Sequence, residues 1–479
     1  MEIKNLFAQD SLGNILPGAT CTLLFPGTSI LADGLQKADG TALSNPFKAG
    51  DNGLISLAAP NGLYDLQVVA GSKNSRITLN FKDPVDRVNL LTKSYFGRYK
   101  PYNPNSDYTT HIAMELEADF LSVRIGIPNV HSAAVSGVRA SVGLLATDTS
   151  ADWQVTINPT DGVWTDLTFG GASSVTLPAR TDTERASITF SDFVHLKSLK
   201  RTNGIRPIIL IRVEYPSGSV VTVPYNGFDG WRSAASTPRI LKVSNQTVLG
   251  VTDKATFTQT TNTTTNGVVP IVQYVSQYAG RQAVAIGDST VEGLGNFVAC
   301  LGATTWGCLK LSTPTNPYEC FNGALHSQVP ELYQKRLADI IDLVRPTVVV
   351  YSPYSINAVA AGGMTDAVQL NMQGNLGRAL ATVRNAARPS EMLLLEGLPC
   401  NPEVRNTGAG DQKRRDFNLW LRSVVGATTV VGYAAAISAG ENASGQTLIT
   451  STMTNDNVHP NLTGYDALSN VVVPYLNAR

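Results

Sequence analysis

The order of hydrophobic and polar positions divides the chain into a β-rich first half and an α/β last part. From residue 1 to about 245, short runs of alternating apolar and polar residues are separated by Gly, Asn, Asp and Pro. This alternation is typical of antiparallel strands with one buried face, and no helical periodicity of useful length interrupts it. After Pro270, buried apolar runs alternate with segments of helical period, which predicts a parallel sheet covered by helices on both sides.

The β-rich half is long enough for two domains and a linker. A small antiparallel β domain is predicted for residues 1–95, with strands at 20–25, 54–58, 64–69 and 76–81. A second domain, a β-sandwich or jelly roll, is predicted for residues 96–245, with strands at 120–127, 140–145, 174–177, 186–190, 207–213 and 220–223. The polar stretch TQTTNTTTNG at 258–267 indicates a linker, which we place at 246–280.

Residues 281–479 are predicted to form an α/β three-layer domain around a five-stranded parallel sheet. The apolar runs expected to form its strands are 283–286, 319–321, 347–351, 392–395 and 429–431. A third helix is predicted from about 464 to 476, and two others have one apolar face each, made of Tyr333, Leu337, Ile340, Ile341 and Val344 and of Phe417, Trp420, Leu421 and Val424. In such sheets the reactive groups gather beyond the carboxyl ends of the strands.

The charge composition of the chain restricts the kinds of binding partner that we expect. Among 479 residues, Lys and Arg together number 37, as do Asp and Glu, and only 15% of residues are charged. This balance provides no field that would gather nucleic acid or anionic lipid, so we expect neither a nucleic acid nor a membrane as partner. The first residues, MEIKNLFAQD, lack the basic and apolar segments of a secretory signal, and no apolar run reaches about 18 residues.

The cysteines and histidines form no recognisable metal or redox motif. The five cysteines have no C-x-x-C spacing, and the five histidines include no His-x-x-x-His pair. We expect buried free thiols, with one disulfide among Cys300, Cys308 and Cys320 as the alternative. No metal and no cofactor is therefore predicted.

The first strand of the α/β part runs directly into a candidate nucleophile. In the sequence AIGDSTVEG, residues 285–293, Ser289 falls on a tight turn at the carboxyl end of the strand. Taken alone, Gly-Asp-Ser is a common tripeptide, and a turn without a catalytic role is the simpler interpretation. The segment lacks the second glycine of the Gly-x-Ser-x-Gly elbow, which argues against an α/β-hydrolase.

The C-terminal segment NDNVHPNLTGYDAL contains matching partners for this serine. Asp456 precedes His459 by three residues, a spacing that lets the carboxylate reach one imidazole nitrogen while the other faces a serine. A strand-end serine followed near the C-terminus by Asp-x-x-His resembles the signature of the SGNH (GDSL) hydrolase family, over about 200 residues of this chain. The resemblance implies a serine esterase with Ser289, Asp456 and His459 as its catalytic triad.

The same resemblance implies an oxyanion hole. Its donors would include the N–H of Ser289 and the side-chain amide of Asn357, although the family's Gly-x-Asn-Asp surroundings are replaced here by YSINA. The family's glycine donor falls on His326 or Ser327 in the sequence CFNGALHSQ, so one of these two N–H groups is expected to complete the hole. For the His326 side chain, a substrate contact and an ordinary loop histidine are equally good alternatives.

The N-terminal stretches FAQDSLGNILPGATCTLLFPGT and GTALSNPFKAGDNGLISLAAPNGLYDLQVV resemble the N-terminal segment of bacteriophage tail fibres and tailspikes. Together, the two resemblances imply a phage tailspike esterase that removes O-acetyl groups from bacterial surface polysaccharide, either capsule or O-antigen. It would be a homotrimer in the phage tail of the virion, attached to tail proteins through residues 1–95 and acting at the host cell surface. The alternatives are a non-catalytic polysaccharide-binding receptor protein, a general carboxylesterase or lipase, and an adaptor in which residues 1–245 recognise the host.

Overall fold

A computed structural model provides the structure of the chain, which divides into two compact units, Met1–Leu90 and Leu91–Arg479. The residues that it describes are 3–24, 29, 31–59, 62–81, 89–94, 99–103, 108–145, 164–181, 186–196, 206–224, 241–246, 270–294, 302–313, 315–359, 363–386, 390–400, 408–423, 428–443 and 445–478. None of the helices within these ranges is long and apolar enough to span a bilayer.

The first unit consists of short antiparallel strands. These are β1 (Ile3–Phe7), β2 (Thr20–Leu24), β3 (Phe47–Lys48), β4 (Leu54–Ala58), β5 (Gly62–Ala70) and β6 (Lys73–Phe81). β1 pairs with β4, and the other four form a sheet in the order β3-β2-β5-β6. β5 and β6 extend beyond the predicted 64–69 and 76–81 because their pairing continues to Ala70 and Lys73, where Gly71 turns the chain with a φ of 58°.

The second unit begins with a β-rich part that forms two main sheets. Its strands are β7 (Leu90–Lys93), β8 (Tyr99–Tyr102), β9 (Tyr108–Glu115), β10 (Phe120–Asn129), β11 (Val135–Leu145), β12 (Thr165–Asp166), β13 (Val175–Leu177), β14 (Ser187–Phe190), β15 (Ile208–Tyr215), β16 (Val221–Pro224), β17 (Leu241–Gln246) and β18 (Ile271–Ser276). The sheet orders are β14-β10-β18-β7 and β12-β11-β15-β9-β17, with β13 beside β11 and a separate pair β16-β8. Apolar side chains of both sheets, among them Ile112, Ile125, Ile211 and Val272, share one core.

Strand β18 lies within the segment predicted as a linker, residues 246–280. Residues 271–276 instead pair antiparallel with β10, and residues 247–269 lie outside the described residues. Val272 and Tyr274 enter the core of the β-rich part, whereas Ile271 enters the core of the α/β part that follows. The strand is therefore buried on both faces, and accordingly the sequence of β18, IVQYVS, lacks a polar face. Because β18 contributes to both cores, the β-rich and α/β parts form one compact unit.

The α/β part contains the predicted parallel sheet of five strands. They are β19 (Arg281–Ile286), β20 (Tyr318–Asn322), β21 (Val348–Tyr351), β22 (Glu391–Leu395) and β23 (Thr428–Val431), in the order β20-β19-β21-β22-β23, and a hairpin of β24 (Ser438–Glu441) and β25 (Thr447–Ile449) follows. All four pairings between neighbouring strands of the sheet are parallel. The helices are α1 (Ser289–Glu292), α2 (Ala303–Leu311), α3 (Pro330–Lys335), α4 (Leu337–Val344), α5 (Asp366–Arg384), α6 (Gly408–Leu421) and α7 (Leu462–Asn477), with 3₁₀ turns η1 (Ile356–Ala358), η2 (Ala434–Ile437) and η3 (Ser451–Met453).

Alternate residues of β19 face two helical layers. Val284 and Ile286 pack in a core shared with α3, α4, α5 and α6, whereas Ala283 and Ala285 pack in a core shared with α2 and α7. The helix predicted from the apolar face at 333–344 is divided at Arg336 into α3 and α4, where the Arg336 N–H bonds the Tyr333 carbonyl, three residues earlier, at 3.3 Å. The predicted position Val424 lies outside the described residues.

A buried ionic cluster joins the β-rich and α/β parts. Lys93 Nζ lies 3.1 Å from Glu117 Oε1 and 2.9 Å from Glu319 Oε1, and all three residues are almost fully buried. Arg206 pairs with the second Glu117 oxygen at 2.7 Å, and the Tyr274 hydroxyl donates to Glu319 at 2.7 Å. Because Glu319 lies in β20 and its partners lie in the β-rich part, the cluster fixes this edge strand of the parallel sheet against the preceding sheets.

Removing the central cation of this cluster should destabilise the second unit strongly. Lys93→Ala leaves two buried carboxylates short of positive charge, and we expect the free energy of unfolding to fall by about 3–5 kcal/mol, as measured by urea denaturation. Lys310→Ala is the matched control, because Lys310 pairs with the half-exposed Asp466 and its loss should cost at most about 1 kcal/mol. Equal effects of the two substitutions would contradict a structural role for the buried cluster.

Candidate active site

Ser289 lies at the carboxyl end of β19, the second strand in spatial order, as the first residue of α1. Asp288 caps this helix, since its Oδ1 accepts hydrogen bonds from the Thr290 N–H at 3.0 Å and the Thr290 hydroxyl at 2.7 Å. The turn before the serine requires glycine, because a Cβ on Gly287 would lie 2.4 Å from the Val291 side chain. This tight strand-to-helix turn holds the serine in a site where it is only 3% exposed.

Asp456 and His459 come from the turn that precedes α7. The Oδ2 atom of Asp456 lies 2.6 Å from His459 Nδ1, and its Oδ1 accepts hydrogen bonds from the N–H groups of His459 and Val458 at 2.7 and 3.0 Å. Asn457 occupies the left-handed region with a φ of 64°, and the Thr454 hydroxyl donates to the His459 carbonyl at 2.8 Å. One carboxylate therefore binds both the backbone and the ring of the same histidine.

The ionised form of Asp456 is favoured in this turn. Partial burial opposes ionisation, but the hydrogen bonds from the His459 ring and from the N–H groups of His459 and Val458 outweigh it, so the pKa of Asp456 is lowered. An anion at this position favours a proton on His459 Nδ1 and leaves Nε2 as an acceptor. The ring is thereby oriented with its accepting nitrogen away from Asp456.

The accepting nitrogen of His459 reaches the serine. His459 Nε2 lies 2.9 Å from Ser289 Oγ, although the two residues are 170 positions apart in the chain. The three residues predicted from the sequence as a triad are thus linked in series by hydrogen bonds of 2.9 and 2.6 Å. This is the geometry in which an imidazole can take the serine proton while a carboxylate stabilises the resulting cation.

Asn357 lies in η1, beyond the end of β21, within a hydrogen-bonded group around the Gln328 carbonyl. Its Nδ2 donates to that carbonyl at 3.1 Å, which leaves the second N–H of the same amide. The neighbouring Ser355 hydroxyl lies 2.7 Å from Asp288 Oδ2 and accepts the Asn357 N–H at 3.2 Å. The predicted asparagine is therefore tied, through Ser355, to the residue that caps the helix of Ser289.

The structure disfavours the predicted oxyanion role of His326. Its N–H donates to Glu292 Oε2 at 2.8 Å, and its Nδ1 lies 3.1 Å from the same oxygen. Its ring is buried and bonded to the same carboxylate, which is the contact of a structural loop histidine. The position of His326 in the sequence predicts a donor, but the carboxylate that accepts its N–H comes from α1, over 30 residues earlier in the chain.

Ser327 is the better match to the glycine position. It has a φ of 59°, in the left-handed region that favours glycine, and its side chain is exposed. Its N–H makes no hydrogen bond to the residues that the structure describes. The Ser289 N–H, at the first position of α1, likewise has no such bond within the described ranges.

Three residues that organise this site were not predicted from the sequence, namely Glu292, Gln328 and Ser355. Glu292 had a visible signal, because it lies three residues after Ser289 in AIGDSTVEG and therefore on the same side of a helix. Gln328 acts through its backbone carbonyl, a contribution that residue type cannot reveal.

Four of the cysteines, Cys21, Cys308, Cys320 and Cys400, are buried free thiols, whereas Cys300 lies outside the described residues.

Comparisons with known proteins give matches only among solved structures. No protein-family model and no curated protein matches the chain. The matched structures cover its C-terminal portion. They include a GDSL-like lipase from Bacteroides thetaiotaomicron VPI-5482, at 19% identity over 41% of this chain and 88% of that one with a TM-score of 0.32. Others are a lipase/acylhydrolase from Enterococcus faecalis (16% identity, 42% and 96% covered, TM-score 0.30) and a lipase from a goat rumen metagenome (18%, 40% and 95%, 0.30). At these values the likeness to the solved structures is partial.

The Asp288 cap should contribute measurably to stability. Asp288→Ala leaves the N–H and the hydroxyl of Thr290 without their acceptor and removes one of the two acceptors of the Ser355 hydroxyl, so we expect a loss of about 2 kcal/mol in urea denaturation. Asp288→Asn, which keeps one capping oxygen, should lose about half as much. Thr365→Ala removes the exposed cap of α5 as a control and should cost about 1 kcal/mol or less. If Asp288→Ala unfolds at the same urea concentration as the unaltered protein, the cap has no such role.

Proposed function

We propose that this chain is a serine esterase of the SGNH (GDSL) type. The observation that carries the proposal is the series of hydrogen bonds from Ser289 Oγ through His459 Nε2 and Nδ1 to Asp456 Oδ2, at 2.9 and 2.6 Å. A serine hydroxyl becomes an effective nucleophile when an adjacent imidazole can take its proton, and the carboxylate keeps that imidazole in the required tautomer.

The reaction would proceed through an acyl-enzyme. Ser289 Oγ attacks the ester carbonyl carbon while His459 Nε2 takes the hydroxyl proton, and the carbonyl oxygen becomes an oxyanion. When the oxyanion collapses, the bond to the alcohol breaks and His459 returns the proton to the leaving alkoxide oxygen. A water molecule then attacks the acyl-serine and loses a proton to His459 Nε2. When this second oxyanion collapses, the bond to Ser289 Oγ breaks, His459 returns the proton to Oγ, and the carboxylic acid leaves.

Three donors would receive the oxyanion. They are the N–H of Ser289, the N–H of Ser327 and the second N–H of the Asn357 side chain. The two backbone groups are uncommitted within the described residues, and the Asn357 amide is oriented by its bond to the Gln328 carbonyl. Each such donor is worth about 3–4 kcal/mol of transition-state stabilisation.

The substrate class that we propose is an O-acetylated polysaccharide of the bacterial surface, capsule or O-antigen. This part of the proposal rests on the resemblance of the N-terminal stretches to phage tail fibres and tailspikes and on the balanced charge of the chain. On the same grounds, residues 1–95 would attach a homotrimer to other tail proteins in the virion, and the α/β part would deacetylate polysaccharide at the host surface.

Loss of the triad should abolish turnover of p-nitrophenyl acetate. We expect Ser289→Ala and Asp456→Asn to lower kcat by about 10⁴-fold or more, the first by removing the nucleophile and the second by favouring the wrong tautomer of His459. Asn357→Ala should lower kcat by about 10²–10³-fold. Asp466→Asn is a matched control, because Asp466 lies in α7 and pairs with Lys310 and Trp306, and its kcat should be unchanged. Equal turnover by Ser289→Ala and the unaltered protein would end the esterase proposal in favour of a binding protein.

The substrate class can be tested separately from the reaction. O-acetylated capsular and O-antigen polysaccharides are incubated with the protein and with Ser289→Ala, and acetate is followed by ¹H NMR. Acetate release by the unaltered protein alone is the expected result. Rates on p-nitrophenyl esters that rise steadily from acetate to octanoate, without acetate release from any polysaccharide, would instead indicate a general carboxylesterase or lipase.

A further inference from the structure

Glu292 is a buried carboxylate next to the nucleophile for which the proposed reaction has no direct use. It is the last residue of α1, whose first residue is Ser289, and it is 6% exposed. Its Oε2 accepts the His326 N–H at 2.8 Å and lies 3.1 Å from His326 Nδ1, while its backbone carbonyl accepts the Asn322 side-chain amide at 2.9 Å. The helix of the nucleophile is thus bonded at several points to the loop after β20.

That loop carries Ser327, and both neighbours of this residue are anchored. On one side, His326 is held by Glu292. On the other side, the Gln328 carbonyl accepts the Asn357 amide at 3.1 Å and lies 3.0 Å from the Ser355 hydroxyl. Between them Ser327 keeps a φ of 59°, a conformation that costs a non-glycine residue about 1–2 kcal/mol and therefore needs support from its surroundings.

The peptide N–H of Ser327 follows the His326 carbonyl, so its direction depends on how the His326 backbone is held. The Glu292 carboxylate is a fixed acceptor for that backbone, and it belongs to the same four-residue helix as Ser289. A displacement of one donor by a fraction of an ångström is enough to weaken an oxyanion hole. Glu292 can therefore couple the position of the nucleophile to the position of the Ser327 donor.

We propose that Glu292 is a positioning residue that aims the Ser327 N–H at the oxyanion by holding His326. The inference rests on the proposed esterase function and deepens it. Both hydrogen bonds from His326 end on a single oxygen, so the property required of residue 292 is an accepting oxygen at that point, and neither a negative charge nor proton transfer is needed. Glutamine can supply such an oxygen, whereas alanine cannot, and aspartate withdraws it by one methylene group.

The test compares Glu292→Ala, Glu292→Gln and Glu292→Asp with p-nitrophenyl acetate as substrate. We expect Glu292→Ala to lower kcat by about 10²–10³-fold with KM changed less than about threefold, and Glu292→Gln to stay within about tenfold of the unaltered protein. Glu292→Asp should be at least about tenfold slower than Glu292→Gln. Because aspartate keeps the charge but is shorter, and glutamine keeps the length but is neutral, this comparison shows whether the position of the oxygen or its charge matters. Glu117→Ala removes an equally buried carboxylate from the Lys93 cluster and should lower the unfolding temperature without changing kcat.

A second readout separates positioning from general loss of structure. The methyl ketone 1,1,1-trifluoroacetone adds to an active serine and places an oxyanion in the oxyanion hole. Its inhibition constant therefore measures how well the hydrogen-bond donors of the hole stabilise that oxyanion. For each Glu292 variant we expect this constant to weaken by the same factor as kcat/KM falls. A purely structural role would lower the active fraction and leave the inhibition constant of that fraction unchanged.

The experimental outcomes distinguish the positioning role of Glu292 from the proposed esterase function. No turnover by the unaltered protein, or full turnover by Ser289→Ala, contradicts the esterase function itself. Turnover that is lost in Ser289→Ala but unchanged in Glu292→Ala contradicts only the positioning role, as does a Glu292→Gln variant as slow as Glu292→Ala. If Glu292→Ala does not fold, the ranking of Glu292→Gln above Glu292→Asp decides the question.

Discussion

The hydrogen bond between Ser289 and His459 depends on how the last helix of the chain is held. The Tyr465 hydroxyl, in α7, donates to the Leu294 carbonyl at 2.9 Å and lies 3.5 Å from the Ser289 carbonyl, so the helix after the histidine contacts the loop of the serine. Leu468 and Val472 of the same helix pack with Cys308 of α2 in one core. Ser289 and His459, which are 170 residues apart, are therefore positioned by packing between helices on one side of the sheet as much as by the turn before α7.

The parts of this site that could be predicted from the sequence are those in which side-chain type and local spacing suffice. Ser289 was recognisable because an apolar strand leads directly into Gly-Asp-Ser, and Asp456 with His459 because three residues separate them in a turn. For His326, residue type and local spacing were not sufficient. Its N–H was a candidate donor by position, but a carboxylate remote in sequence engages it, and only the fold brings the two together.

The same limit applies to the fold. The five-stranded parallel sheet was predictable because β19, β21 and β22 each contain a run of four apolar residues and alternate with helical segments. Strand β9 was missed because Thr109, Thr110 and His111 are polar yet buried. Helix α5 was missed because the polar Asn375 is buried and the apolar Leu370 is exposed, which obscures its apolar face. Burial of polar residues is decided by partners elsewhere in the chain, so a local pattern does not reveal it.

Strand β18 determines where the chain can be cut to isolate the α/β part. Because its successive side chains enter two different cores, the strand belongs equally to the layers before and after it. Cutting the chain at residue 281, where the sequence predicts the boundary, removes Ile271 from the core of the α/β part. The smallest fragment that folds around the Ser289 site is therefore expected to start near residue 91, with the β-rich part serving as an intramolecular scaffold.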